Sequence, residues 1–347
     1  MKEKEKVVGI IGAGNFGKAV ANLIAKNAKV LIYSRKQEKA DIINNTHQID
    51  GVQLHPNIRA TTDLREITET CKAIFPIVPS RRFREMMKDL SPYLTPSHFL
   101  IHATKGFALN NINEEDLETS SISRKDISLM SEVIRQESSV VRIGCISGPN
   151  LASEIIAGKP AGTLIASLYD EVADEAKLLL SSDQFRVFVS KDIVGTELAG
   201  ALKNIIAILS GILAGKDLGR NIQALVITKG LAEMIAFGKM MGSDSKAFMG
   251  TAGIGDLIAT AMSPDSRNYS FGYRLGKGET VEEINANNNE LVEGLRTLII
   301  VYHLSRSQKL VLPIIRMLYR IVYRNFAIED AVKYLMAYPF DTDVDFL

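Results

Sequence analysis

Residues 7–17 of this 347-residue chain read VVGIIGAGNFG, an apolar run that leads directly into a glycine-rich turn. The run is typical of a short buried strand, and the residues after the turn follow a helical pattern. Gly12, Gly14 and Gly17 have the spacing GxGxxG, which permits a tight turn, close approach of backbone to a pyrophosphate, and close helix–strand packing. A dinucleotide site is therefore predicted at this helix N-terminus; a glycine turn that binds nothing is the alternative.

The rest of the first half alternates between short apolar runs and helical patterns, as βαβ units do. Further strands are predicted at 30–33, 73–78, 99–103, 143–147, 163–167 and 185–189, with helices at 16–26, 82–90 and 151–156. After about residue 192 only helical patterns follow, at 194–214, 222–241, 245–249, 291–307 and 313–323. The sequence predicts an α/β protein with an N-terminal Rossmann-type doubly wound domain (1–192) and a C-terminal all-α domain (193–347). The polar segment 110–139 is expected to be a surface excursion of the first domain.

Composition excludes several classes of protein. Lys plus Arg (41) and Asp plus Glu (40) nearly cancel, so a general nucleic-acid binder is not expected. Two cysteines are too few for a disulfide framework or a structural zinc site, which favours the reducing cytoplasm and no metal. The first residues lack the long apolar region of a secretory signal. The apolar stretch 198–214 is shorter than the ~20 residues of a membrane span and has Lys203 near its middle, so a buried core helix and no membrane insertion are predicted.

The end of the second predicted strand bears on the choice of cofactor. A carboxylate about 20 residues past the glycine motif would bind the ribose hydroxyl of NAD. Residues 33–36 read YSRK instead, and Arg35 can pair with a 2′-phosphate. NADP(H) is therefore the preferred cofactor, with NAD(H) as the alternative. A plainer interpretation is that Arg35 and Lys36 begin an exposed helix.

Lys203 is the most informative single residue of the second half. Its helical neighbours three and four positions away are Ala199, Gly200, Ile206 and Ala207, all small or apolar. Burial lowers the pKa of an ammonium group and suits it to general acid–base chemistry. A lysine that extends to the helix surface, or a structural ion pair with a carboxylate elsewhere in the chain, explains the same pattern.

Short sequence blocks, in order along the chain, carry a resemblance to a known family. They are GAGNFG (12–17), VPS (78–80), ATKG (103–106), SGPNLA (147–152), ALKN (201–204), TKGLAEM (228–234), GIGDL (253–257), SRN (266–268) and VEG (292–294). Over nearly its whole length the sequence resembles the bacterial NAD(P)-dependent sn-glycerol-3-phosphate dehydrogenases. The resemblance implies reversible reduction of dihydroxyacetone phosphate to sn-glycerol 3-phosphate, for glycerophospholipid synthesis, by a cytoplasmic homodimer.

The resemblance also implies roles for individual residues. Lys203 matches the proton donor and acceptor, and Lys105 matches a substrate-contacting lysine. Asp256 matches a substrate-site carboxylate, which can orient Lys203 or accept a hydrogen bond from a substrate hydroxyl. A helix N-cap is the plainer role for Asp256, and one residue can fill both roles. The other implied substrate residues are Gly148, Asn150, Asn204, Thr260, Ser266, Arg267 and Asn268, of which 266–268 also fit an ordinary polar loop. Cofactor contacts are implied for Asn15, Phe16, Lys105, Ala152, Arg267 and Glu293, besides the glycines and Arg35.

Two other functions are compatible with parts of this pattern. One is another two-domain dehydrogenase of the β-hydroxyacid type, which would also use a helix lysine; Asp256 and the cluster 266–268 distinguish the two. The other is a non-catalytic dinucleotide-binding sensor, since a fold does not guarantee activity. The presence of Lys203, Asp256 and Arg267 argues against the sensor.

Overall fold

The chain divides into two compact units in the structure, a computed structural model that describes residues 6–286 and 292–339. The first unit comprises Met1–Thr104 and Leu129–Ile193, and the second comprises Lys105–Ser128 and Val194–Leu347. Residues 110–128 thus belong to the second unit, and their expected placement in the first domain is wrong. The reason is that Leu117 and Ile122 are buried, while the carboxylates of Glu114 and Glu118 pair with arginines of the second unit.

Twelve strands are formed by the described residues. They are β1 (Val7–Ile11), β2 (Lys29–Tyr33), β3 (Gln48–Ile49), β4 (Val52–Gln53), β5 (Ile58–Thr61), β6 (Ala73–Pro76), β7 (Phe99–His102), β8 (Ala108–Leu109), β9 (Ile127–Ser128), β10 (Arg142–Ser147), β11 (Ala161–Ala166) and β12 (Phe185–Ser190). Every strand predicted from the sequence is confirmed. The short β5 was missed because its four residues carry no long apolar run.

Eight of these strands form the sheet of the first unit, in the order β12-β11-β10-β7-β6-β1-β2-β5. Its six strands from β5 to β10 are parallel and follow the doubly wound order 3-2-1-4-5-6, whereas β11 runs antiparallel to β10. The strand order reverses between β1 and β6, the point at which such sheets bind ligands beyond their carboxyl ends. Because Ile11 pairs with Tyr33, the chain leaves β1 and β2 at the same edge.

Both faces of this sheet are covered. Val8 and Ile10 on one face share a core with Val20 and Ile24 of the first helix. On the other face, a Cβ built on Gly9 would lie only 2.9 Å from the Ile67 side chain. Burial on both faces explains why these strands read as continuous apolar runs rather than as alternating ones.

Helices account for most of the remaining described residues. They are α1 (Asn15–Ile24), α2 (Gln37–Thr46), α3 (Leu64–Thr70), α4 (Ser80–Leu90), α5 (Met130–Glu137), α6 (Ala152–Ile156), α7 (Asp170–Leu180), α8 (Ile193–Gly215), α9 (Arg220–Met240), α10 (Lys246–Met249), α11 (Asp256–Ala261), α12 (Arg267–Gly276), α13 (Val281–Ala286), α14 (Glu293–Ser307), α15 (Pro313–Arg324) and α16 (Ile328–Ala337). The fold class is α/β as predicted, with a second unit that is helical apart from the β8–β9 pair. The helices predicted in the second half are confirmed, although residue 291 lies outside the described residues.

Among the described residues, α8 is the one helix whose length and apolar composition would allow it to cross a membrane. Within the structure, 94% of its most apolar window is buried. Burial of this extent is what a core helix of a soluble protein shows, as the sequence predicted.

A buried carboxylate on α9 caps the start of α15. The Glu233 side chain accepts hydrogen bonds from the N–H groups of Ile314 (2.6 Å) and Ile315 (3.0 Å), directly after Pro313. These donors have no partner within their own helix, so the carboxylate satisfies them from a distant element. Burial raises the pKa of Glu233 to about 8, although the two N–H groups oppose this shift.

We predict that Glu233→Gln removes a pH dependence of stability. The folded protein holds the Glu233 proton more tightly than the unfolded chain, whose carboxyl group has its ordinary pKa of 4.5. The stability contributed by the protonated group is therefore fully present below pH 4.5 and is lost as the pH rises towards about 8, by at most ~1.4 kcal/mol per pH unit. The measurement is urea unfolding of both proteins across this range. The stability of the unaltered protein minus that of Glu233→Gln should fall as the pH rises, and a value that rises with pH would contradict the prediction.

Candidate active site

The glycine loop joins the carboxyl end of β1 to α1. Gly12 has φ = 123°, and a Cβ there would lie 2.1 Å from the Ile77 carbonyl oxygen, while a Cβ on Gly17 would lie 1.9 Å from the Gly12 oxygen. The fold itself therefore requires these two glycines. Gly14 differs: its φ of −76° suits any residue, and no described atom lies within 4 Å of its ideal Cβ. A bare backbone in open space at this helix start fits the close approach of a phosphate group.

Other predicted cofactor residues lie at the same edge of the first unit. Arg35 is exposed beyond the carboxyl end of β2, and Asn15 and Phe16 begin α1. Ala152 begins α6, which packs against α1. The sheet order thus brings together residues from three separate parts of the sequence.

The turn after β10 carries two of the predicted substrate residues. Gly148 has φ = 152°, and a Cβ there would lie 3.1 Å from the Thr163 Cα. The Asn150 side-chain amide donates to the Thr163 hydroxyl at 2.7 Å, while its buried Oδ1 has no hydrogen-bond partner among the described residues. The Asn150 amide is thus held in place by the Thr163 hydroxyl.

Lys203 lies at the centre of a buried polar cluster in the second unit, which we call the lysine–aspartate cluster. Its Nζ donates to Asp256 Oδ1 and, at 2.6 Å, to Thr260 Oγ1. The second carboxylate oxygen of Asp256 accepts from Lys105 Nζ at 2.6 Å. Lys203 and Asp256 are almost inaccessible, whereas 23% of the Lys105 side chain is exposed. The hypothesis that the Lys203 side chain extends to the helix surface is therefore wrong. Lys203 forms a buried ion pair, and Asp256 is its carboxylate partner.

Two features of the backbone place Asp256. A π-helical turn, Thr251–Gly255, immediately precedes it, and Gly255 rather than Asp256 is the N-cap of α11. The interpretation of Asp256 as a helix cap is wrong because its carboxylate is occupied by the two lysines. Thr260 lies one helical turn further on the same face, as the spacing predicted.

The charges of this cluster shift each other's pKa values. Burial lowers the pKa of Lys203; the Asp256 carboxylate opposes this shift and the Lys105 ammonium adds to it. Burial alone would raise the pKa of Asp256, but Lys105 and Lys203 together hold it below the usual range. One carboxylate therefore serves two ammonium groups, one of which exchanges its proton more readily than an ordinary lysine does.

A second hydrogen-bond network begins at the neighbour of Lys203. The side-chain amide of Asn268 donates to Asn204 Oδ1 at 3.0 Å, and Asn268 Oδ1 accepts from the Gly294 N–H at 3.0 Å. A Cβ on Gly294 would lie 2.6 Å from Asn268 Oδ1, so glycine is needed for this contact. The network joins the predicted residues of α8 and α12 to the first turn of α14.

The remaining predicted residues lie on these same helices. Ser266 is buried and caps α12 by accepting from the Tyr269 N–H at 3.3 Å, so its hydroxyl is engaged in the fold. Arg267 is exposed on the first turn of α12, beside Asn268. Glu293 is the first residue of α14. Arg296, a buried residue of the same helix, was not predicted from the sequence, because none of the matching sequence blocks includes it.

The first unit thus has a doubly wound sheet with a glycine loop at its switch point, and the second has a buried lysine–carboxylate pair. Together these features define the class of two-domain nicotinamide-nucleotide dehydrogenases. Family models of the N- and C-terminal parts of NAD-dependent glycerol-3-phosphate dehydrogenase match residues 7–173 and 192–333. The chain belongs to this family and is an oxidoreductase.

Individual relatives agree with this assignment. The chain is 37% identical over 345 residues to the glycerol-3-phosphate dehydrogenase [NAD(P)+] of Acinetobacter baylyi, covering 98% of this chain and 92% of that protein. It is 35% identical to the protein of the same name in Pseudomonas aeruginosa, covering 99% and 98%. The crystal structure of a glycerol-3-phosphate dehydrogenase from Coxiella burnetii superposes with a TM-score of 0.85 at 29% identity, covering 96% and 99%.

We predict that Asp256→Asn destabilises the protein by about 3–5 kcal/mol, because it leaves the buried Lys203 ammonium without its carboxylate. Adding Lys203→Met removes that buried charge, so the double variant should unfold at higher urea concentration than the single one. Asp330→Asn is the matched control, since its ion pair with Lys333 is exposed and such pairs contribute about 0–1 kcal/mol. A double variant that is less stable than Asp256→Asn would contradict this account.

Proposed function

We propose that this protein catalyses the reversible, NAD(P)H-dependent reduction of dihydroxyacetone phosphate to sn-glycerol 3-phosphate. The observation that carries the proposal is the lysine–aspartate cluster, found in a chain of the glycerol-3-phosphate dehydrogenase family. The curated relatives are named for NAD(P)+ and glycerol 3-phosphate, which supports the same cofactor and substrate here. The names of these relatives support neither of the two alternatives, a β-hydroxyacid-type dehydrogenase and a non-catalytic sensor.

Lys203 supplies the proton in this proposal. As the ketone carbon is reduced, negative charge develops on the carbonyl oxygen, and the Lys203 ammonium both stabilises that charge and transfers a proton to it from Nζ. In the reverse direction neutral Lys203 accepts the proton of the alcohol. Its lowered pKa makes both forms accessible near neutral pH. Asp256 and Thr260 orient Nζ, since each accepts a hydrogen bond from it.

The phosphate end of the substrate needs cations and amide donors outside this centre. Lys105 is partly exposed and contributes positive charge beside Asp256. Arg267 and Asn268 on the first turn of α12 supply a guanidinium and an amide, which suits bidentate binding of phosphate oxygens. Asn204, Gly148 and Asn150 are proposed to contact the remaining polar groups of the substrate.

We propose that the first unit, which contains most of the predicted domain 1–192, holds the nucleotide, and that the second, which contains most of the predicted domain 193–347, holds the substrate. When bound, the nicotinamide supplies the hydride. The Gly12–Gly17 loop and the start of α1, with Asn15 and Phe16, would hold the pyrophosphate, as the open space at Gly14 supports. Ala152, Lys105, Arg267 and Glu293 are proposed to contact the rest of the nucleotide.

The preference for NADP(H) is a proposal that depends on Arg35. This arginine is exposed beyond the carboxyl end of β2, where the adenosine ribose of a nucleotide bound to such a sheet lies. A cytoplasmic homodimer that serves glycerophospholipid synthesis is also proposed. The two described cysteines, Cys71 and Cys145, are buried free thiols, which suits a reducing compartment. Light scattering on the purified protein measures its oligomeric state.

The purified protein should oxidise NADPH when dihydroxyacetone phosphate is added, and Lys203→Met should lower turnover by about 10²–10⁴-fold, the usual contribution of a general acid. NADPH affinity, measured by fluorescence titration, should stay nearly unchanged. Lys216→Met is the matched control, because Lys216 pairs with the exposed Glu329. Turnover of a non-phosphorylated 3-hydroxyacid without turnover of dihydroxyacetone phosphate would overturn the proposed function.

Arg35→Asp should weaken NADPH binding roughly 10- to 100-fold more than NADH binding, the loss expected for one charge-assisted hydrogen bond. The ratio of kcat/KM for the two nucleotides measures this preference. Lys29→Asp, which changes the same charge at the opposite end of β2, is the matched control. An unchanged ratio in Arg35→Asp would exclude Arg35 from cofactor selection.

A further inference from the structure

Arg296, in the first turn of α14, is buried and binds two parts of the segment Lys105–Ser128. Its Nε donates to Glu114 Oε2 at 2.8 Å and its Nη2 to Glu114 Oε1 at 2.7 Å. Its Nη1 donates to the carbonyl oxygen of Phe107. The planar guanidinium thus engages a carboxylate with one edge and a backbone oxygen with the other, which a lysine ammonium cannot reproduce.

Phe107 is anchored from a second direction. Its ring is fully buried and meets the ring of Phe237 edge-on, with 6.4 Å between centroids. Only Gly106, with φ = 142°, separates Phe107 from Lys105. The backbone position of Lys105 therefore depends on where the Phe107 carbonyl is held.

The helix that carries Arg296 is also tied to the lysine–aspartate cluster. Gly294, two residues earlier, donates to Asn268, which binds Asn204, the neighbour of Lys203. The contacts consequently form a closed ring within the second unit. The ring runs through Lys203, Asp256, Lys105, Phe107, Arg296, Gly294, Asn268 and Asn204.

We infer that Arg296 is a positioning residue, which sets the location of the Lys105 ammonium at Asp256 by holding the Phe107 carbonyl and the Glu114 carboxylate. The positioning follows from these contacts alone. Its consequence for catalysis rests on the proposed function, in which Lys105 contacts the substrate.

Loss of this hold has two expected effects. Lys105 spends less time paired with Asp256, so its amine becomes more accessible to reagents. Lys203 also loses the nearby positive charge that helps to lower its pKa, so that pKa rises. In the proposed function, oxidation of glycerol 3-phosphate requires neutral Lys203. The acidic limb of the pH–rate profile for this oxidation should therefore move to higher pH. Asp256 and Thr260 remain the groups that accept hydrogen bonds from Lys203 Nζ.

The first test measures the acetylation rate of each lysine by peptide mass spectrometry, using an amine-reactive acetyl ester on the intact protein. Arg296→Met should raise the rate at Lys105 several-fold and leave the exposed Lys309 unchanged. Arg306→Met is the matched control, since Arg306 lies on the same helix but is exposed and contacts Tyr302. An unchanged Lys105 rate in folded Arg296→Met overturns the inference.

Glu114→Gln is a milder second variant. It allows the same acetylation measurement to be made if Arg296→Met does not fold. Glu114 is about half-exposed, so the change removes only the charge of one anchor and should raise the Lys105 rate to a smaller extent. Arg296→Lys retains the positive charge but lacks the planar guanidinium. Its Lys105 acetylation rate should therefore be closer to that of Glu114→Gln than to that of the unaltered protein. Equal Lys105 rates in all these proteins would overturn the inference.

The second test is kinetic. Arg296→Met should raise the KM for dihydroxyacetone phosphate and move the acidic limb of glycerol 3-phosphate oxidation to higher pH, whereas Arg306→Met should do neither. In a Lys105→Met background Arg296→Met should add no further change in kcat/KM, because it acts through Lys105; additive losses contradict the inference. If the unaltered protein fails to reduce dihydroxyacetone phosphate, the proposed function fails, while the acetylation rates still decide the role of Arg296.

Discussion

The candidate site in the second unit depends on the buried ion pair between Lys203 and Asp256. A buried ammonium and a buried carboxylate are each costly to remove from water, and neither is tolerated without the other. Thr260 and Lys105 satisfy further hydrogen-bonding capacity of the pair. While Lys203 is protonated, the two ammonium groups and one carboxylate give the cluster an excess of positive charge. Such an excess favours an anionic substrate and the negative charge that develops on its carbonyl oxygen during reduction.

The position of Lys105 relative to Lys203 depends on contacts that lie away from both ammonium groups. Nothing in the helix α8 alone fixes the distance between Lys203 and Lys105, which lie on different segments of the chain. The asparagine network sets the start of α14 relative to α8, and Arg296 then sets the Lys105 segment relative to α14. Polar networks of this kind are stable only when every member is satisfied, so each link constrains the next.

The sequence predicted the elements well, because strand and helix periodicities are local properties. The residues around Lys203 predicted that it is buried, but their spacing did not identify its carboxylate, because Asp256 lies 53 positions further along the chain and is brought to it by tertiary packing. Asp256 was assigned from family resemblance and had an equally reasonable role as a cap. The polarity of segment 110–139 predicted a surface excursion of the first domain. Residues 110–128 instead join the second unit, because Glu114 and Glu118 pair with arginines there and Leu117 and Ile122 are buried. Arg296 escaped notice because the matching block ends at Gly294, and an arginine in a helix carries no local signal of its partners.

The three glycines of the loop between β1 and α1 differ in what the fold requires of them. The pattern GxGxxG assigns the tight turn to Gly12 and the helix–strand packing to Gly17, and the structure agrees, because a Cβ at either position would meet backbone; a turn that binds nothing would require these two glycines too. Gly14 is different, because neither its backbone angles nor any described neighbour excludes a side chain. The open space beside Gly14 at the start of a helix supports the proposed approach of a phosphate group to the backbone. Of the three glycines, Gly14 is therefore the one whose surroundings support the proposed nucleotide contact rather than the turn alone.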